Sequence, residues 1–230
     1  MRSKFFAGIV LCCILVCMMD SAFSVYMTEN PFIGVDVGDV VAFGQYEQDG
    51  DETNGQEAIK WRVLAIEDEK ALVISEYALD AKQYNEEPDG ITWEKCTLRS
   101  WLNKDFLNNA FTEDEQEMIS LTEIINEDNP KYGTKGGNNT EDKIFLLSIE
   151  EVEKYFDDDE SRIVDNTQYA KNNVYATDSF GRSWWWLRSP GCSRFEAAGV
   201  YSSGGVSMGG IRVIYADGVV RPALFIDLDV

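Results

Sequence analysis

Apolar and polar positions alternate from Asp39 to Tyr46 (DVVAFGQY), the period of a half-buried strand, and IKWRVLAIE (59–67) and ALVIS (71–75) continue the pattern. The three segments predict a small antiparallel meander that opens a domain over residues 39–230, after an extended lead-in at 25–38. Between the first two lies EQDGDETNGQE (47–57), a polar tract punctuated by glycine. It superficially resembles a calcium-binding DxDxxxG run. Gly55 falls one place late for an EF-hand, however, and no glutamate stands at the closing position, so a solvated acidic turn is the simpler reading.

The period changes after Cys96. Leu98, Trp101, Leu102, Phe106 and Leu107 recur at helical spacing, with Thr97 available as N-cap. Thr112 with Glu115, and Ser148 with Glu151, are capping-box pairs that predict two more short helices. Between them lie a glycine and asparagine loop (129–143) and the continuous apolar run IFLL (144–147), which suits a buried strand. SWWWLRSPG (183–191) reads as a strand ending in a turn. VYSSGGV (200–206) and IYADGVV (214–220) repeat one pattern and predict two hairpin arms with glycine turns. VVRPALFIDL (219–228) alternates toward its end, with Pro222 marking a strand start or a bulge.

Residues 1–24 change the picture of where the domain works. Arg2 and Lys4 precede an apolar run from Phe5 to Met19, and Ala22-Phe23-Ser24 follows as a small-x-small cleavage site. The run is shorter than the ~20 residues a bilayer span needs, so it predicts a signal peptide, a secreted or extracytoplasmic product and no transmembrane segment after cleavage. Cys96 and Cys192 are the two cysteines beyond the leader. In an oxidising compartment they form either one disulfide or two separate thiols.

Charge and composition narrow the chemistry. Forty-one acidic side chains against twenty basic ones give −21, which repels a phosphate backbone and makes nucleic acid a poor partner. There is no histidine, which removes the commonest general base, the commonest zinc ligand and every Ser-His or Cys-His nucleophile pair. At 44% hydrophobic the chain can fill a sizeable core.

Five segments occur in an order that resembles a known family: AIKWRVLAIEDEKALVISEYALD, TWEKCTLRSWLNKDFLNNAF, EDKIFLLSIEEVEKYF, WWWLRSPG and GVVRPALFIDL. The family is the bacterial domain of unknown function number 6273, and the resemblance covers roughly residues 38–230. It carries no settled activity. A weaker resemblance, through the tryptophan-rich strand, the glycine hairpins and the terminal strand, is to the C-type-lectin-like fold of sulfatase-modifying (formylglycine-generating) domains. It implies a single α+β domain with a twisted antiparallel sheet, short flanking helices, long loops and paired first and last strands. It also implies that Cys96 and Cys192 could hold copper for an oxidase, but the segment around Cys192 (SPGCSRF) lacks the matching motif.

The expected function is therefore ligand binding, with a carbohydrate or a surface protein as partner. The candidate ligand-binding residues are Trp184, Trp186, Arg188, Arg194, Phe195, Tyr201 and Tyr215. Tryptophan and tyrosine combine a stacking face with a polar tip, and arginine can grip a carboxylate through two bonds. Each also has a plain structural reading: packed rings, and Arg188 and Arg221 paired with internal carboxylates. No catalytic residue is assigned. No cofactor is expected; an acidic cluster could take calcium, although the sequence offers no complete ligand set, and copper is not favoured. The competing enzyme readings are the copper-thiolate oxidase and a glycosidase with two carboxylates. A third reading, a structural surface module, predicts no pocket and fully buried tryptophans.

Overall fold

The computed structural model describes residues 30–229, so the signal peptide read at 1–24 and the start of the lead-in lie outside the described residues. From Asn30 to Asp39 the chain turns rather than extends. The reason is Phe32, which is fully buried and packs edge-on against Phe43 at 5.5 Å between ring centroids. Asn30 Oδ1 accepts the Phe32 amide at 3.0 Å and fixes that turn.

The meander forms as its alternation predicts: β1 (Val40–Tyr46), β2 (Glu57–Glu67) and β3 (Lys70–Ser75) pair antiparallel in sequence. Asp68 and Glu69, at φ 50° and 62°, make the two-residue turn between β2 and β3. Positive φ at both positions gives the mirror-image turn whose twist matches the flanking strands. A two-residue strand β4 (Asp80–Ala81) follows.

Helix α1 (Thr97–Trp101) runs through a π-helical segment (Leu102–Phe106) into α2 (Leu107–Ala110). Its N-cap is Cys96, whose sulfur accepts the Arg99 amide at 3.4 Å, rather than Thr97. Thr97 Oγ1 is engaged instead by the Glu86 amide at 3.1 Å. Helix α3 (Glu113–Met118) starts with the Thr112–Glu115 capping box. Then come β5 (Thr122–Ile124), β6 (Thr140–Asp142), β7 (Ile144–Phe145) and α4 (Ile149–Tyr155), the last opened by the Ser148–Glu151 capping box. Asp158 and Thr167 cap α5 (Asp159–Arg162) and α6 (Gln168–Asn172).

The C-terminal third adds β8 (Trp185–Pro190), β9 (Glu196–Val200), β10 (Val206–Arg212), β11 (Val219–Val220) and β12 (Ala223–Asp227). The strands assemble into a five-stranded sheet of order β1-β2-β3-β12-β7, a second of order β10-β9-β8-β11-β4, and the pair β5-β6. Sheets of mainly antiparallel strands with short helices make this an α+β fold.

Two sequence expectations are corrected. The first and last strands do not pair, because β2 and β3 stand between β1 and β12. Segment 214–220 is no hairpin arm: β11 pairs parallel with β8 through Val219 and Trp185, and antiparallel with β4. Of the two repeats, VYSSGGV alone turns a hairpin, between β9 and β10. At Arg221-Pro222 the chain leaves the second sheet for the first. Proline supplies no amide there, and its carbonyl accepts the Ser75 amide at 2.9 Å.

One hydrophobic cluster runs from Phe32 to Ile226. Four buried indoles sit in it, and each donates its N–H: Trp61 to Phe43 O (2.7 Å), Trp93 to Asp142 Oδ2 (2.9 Å), Trp185 to Arg162 O (3.2 Å) and Trp186 to Lys82 O (2.8 Å). No helix among the described residues is long and apolar enough to cross a membrane.

Candidate functional site

Strand β8 carries two of the seven candidate residues, Trp186 and Arg188, and all six of its positions are buried. It lies inside the second sheet and is covered on both faces. Trp186 is therefore core, not a ligand platform, and Trp184, which precedes the strand, is half-buried with its ring edge-on to Trp186 at 4.4 Å. Arg188 is also removed from the surface. Its guanidinium makes two contacts with Glu151, one of them Nη2 to Oε1 at 2.7 Å, and donates to Leu146 O at 2.8 Å.

Tyr201 and Tyr215 both line an open trough of about 750 Å3 over the edge strand β10. Tyr132, which the sequence did not single out, joins them, and the three rings are 47%, 49% and 50% exposed in chain order. Lys131 and Arg212 line the same trough and form no ion pair among the described residues. Glu196 is the one carboxylate in the lining. Its Oε2 accepts from Ser193 Oγ, and the Cys192 sulfur lies 3.9 Å away.

The floor is a β-bulge. Between Ser207 and Ile211 the β9–β10 register shifts, and Gly210 adopts φ +79° there. A Cβ on Gly210 would lie 2.5 Å from Ala197 O, so a side chain cannot be placed without moving the strand. One wall is pinned by Asn129. Its Nδ2 donates to Pro190 O (2.7 Å) and Met208 O (2.8 Å), and its Oδ1 accepts the amides of Lys131 (3.0 Å) and Tyr132 (2.9 Å). On the same loop, Lys135 bonds Asp128 at 2.6 Å and holds its carboxyl below the usual carboxylate range.

Arg194 and Phe195 are exposed but stand outside the trough, packed beside Gly90. The hairpin tip at 202–205 is less free than its sequence suggests. Gly204, at φ +88°, sits so close to α5 that a Cβ would lie 1.6 Å from Asp159 O.

Cys96 and Cys192 do not pair. Cys96 is a buried free thiol at the start of α1, where burial pushes it up to about 12, and Cys192 is an exposed free thiol on the trough. The structure therefore holds no Cys96–Cys192 disulfide. The acidic loop brings carboxylate oxygens of Glu47, Asp49 and Glu57 within 4.8 Å of one another. The loop's own amides occupy them: Gly50 N to Glu47 (2.6 Å), Gln48 N to Glu57 (2.8 Å) and Asp51 N to Asp49 (2.8 Å). A further bond from Asn54 holds Asp49 below the usual carboxylate range.

Fold and site together define a two-sheet α+β domain with an open aromatic trough laid over one sheet edge. The chain belongs to the family described as Domain of unknown function (DUF6273), which matches residues 68–228, from the β2–β3 turn into the residue after β12. No curated protein and no solved structure matches it.

Proposed function

We propose that this chain is a secreted binding module that takes a carbohydrate in the trough over β10. The observation that carries the reading is the convergence of Tyr132, Tyr201 and Tyr215, each about half exposed, on one open cavity with Lys131 and Arg212. Tyrosine rings offer sugars a stacking face, and the two cations and the Ser207 and Glu196 side chains offer hydroxyl and acidic substituents hydrogen-bonding partners. The leader at residues 1–24 supports an extracytoplasmic setting.

A protein strand added to the β10 edge is the competing occupant. The bulge at Ser207–Ile211, the Asn129 amide on Met208 O and the Cys192 amide on Gly209 O interrupt that edge, which favours the sugar. Catalysis by two carboxylates draws no support from a trough holding Glu196 alone.

The test is binding of the secreted form to an array of neutral and acidic glycans, with and without calcium, beside Tyr201→Ala and Tyr215→Ala variants. Saturable binding that drops at least about tenfold in either folded variant supports the reading. Absence of binding to every glycan, or binding unchanged in both variants, overturns it.

A further inference from the structure

Arg221 carries an inference independent of the trough. It stands where the chain crosses between sheets and is 3% exposed. Its Nε donates to Ser75 O at 3.0 Å, and its guanidinium lies over the rings of Trp185 and Phe156 at 5.3 and 5.4 Å. Unlike Arg188, it has no carboxylate partner among the described residues, and its Nη1 is buried without a hydrogen bond. Glu76, whose charge acts on it, is already taken by Arg62 through two bonds of 2.8 and 2.5 Å. Burial lowers the Arg221 guanidinium to about 10. Glu76, the Ser75 carbonyl and the two rings offset part of this charge, and an anion of matching shape would offset the rest.

The surroundings supply room for one. Arg221 lines a cavity of about 360 Å3 together with Arg62, Glu76, Tyr155, Asp157 and Ser161. We propose that this cavity is a carboxylate-binding site, in which the planar fork of Arg221 receives the ligand's carboxylate, Arg62 flanks it, and the Tyr155 and Ser161 hydroxyls are available to its other polar atoms. A carboxylate fits better than a phosphate dianion, because Glu76 and Asp157 stand on the same walls and repel a second negative charge. The carboxylate can belong to a peptide C-terminus or to an acidic sugar.

The experiment titrates the secreted form with acetate, N-acetylglycine, glucuronate and inorganic phosphate, with acetamide as the neutral control, following the Arg221 Nε–H resonance and Trp185 fluorescence. The expected result is a saturable shift with acetate, none with acetamide, and affinity reduced about tenfold or more by Arg221→Lys and several-fold by Arg62→Ala. Tighter binding of N-acetylglycine identifies the peptide source, and tighter binding of glucuronate the sugar source. If Arg221→Lys does not fold, the resonance of the unaltered chain and Arg62→Ala decide. No saturable shift with any carboxylate, equal response to acetamide, tighter binding of phosphate, or affinity undiminished in the folded variants overturns the proposal.

Discussion

Glu151 serves two elements at once: one of its oxygens accepts the Ser148 amide and caps α4, while both oxygens meet the guanidinium of Arg188 on β8. Arg188 in turn accepts the Tyr84 hydroxyl on its carbonyl at 2.9 Å and donates to Leu146 O, so helix cap, sheet and the β7–α4 junction share one polar knot. Removing the carboxylate strands a buried cation. Glu151→Ala is expected to cost about 3 kcal/mol in urea denaturation, and Arg188→Met, which removes the charge with its partner left at the helix end, distinctly less.

Asn129→Ala is expected to separate the trough from the fold. Four bonds from one buried amide hold Lys131 and Tyr132 against β10. Their loss should lower stability by about 1–3 kcal/mol and weaken glycan binding by more than that stability change explains, since Tyr132 loses its placement. Calorimetric titration beside a melting curve measures both.

Thiol labelling at pH 8 should modify Cys192 quickly and leave Cys96 untouched until denaturant is added. One is exposed, while the other is buried and ionises only near 12. Mass spectrometry after iodoacetamide checks it, and two protected cysteines or a non-reducible count of zero thiols would contradict the fold.

Stability should fall in alkali. Cys96 ionises near 9.0 when unfolded and near 12 in the fold, so the unfolded chain gives up its proton first. The contribution of the buried thiol is thus whole below pH 9 and is lost progressively toward pH 12. Burial raises Tyr46 and Tyr84 in the same sense. Urea midpoints between pH 8 and 11 should decline, and decline less steeply in Cys96→Ala.

Local rules made much of the fold legible. Alternation located β1 to β3, and Thr112 and Ser148 marked the starts of α3 and α4, because both signals are decided within one turn or one pleat of chain. Tertiary position was not legible. A run such as WWWLRSP looks the same on an edge or in the middle of a sheet, and what buries it is what packs over its faces: Tyr84 against Trp186, and Glu151 and Phe145 against Arg188. Tyr132 was missed because its place depends on Asn129 reaching β10, a partner 79 positions away at Met208. Arg221 and Arg188 lie in equally plain motifs, yet one found Glu151 and the other found Glu76 already occupied.

The position of β12 has a consequence for how the chain can be made. β3 (Lys70–Ser75) and β7 (Ile144–Phe145) are joined solely through β12 (Ala223–Asp227), which slides between them as the fourth strand of their sheet. A ribosome therefore releases the meander long before its missing neighbour exists, and the two halves of that sheet stay apart until β12 has been made. Such long-range closure is slow and leaves strand edges open in the meantime. Until Ala223–Asp227 emerges, the Lys70–Ser75 edge stays open to any other strand, so this strand order exposes the nascent chain to mispairing.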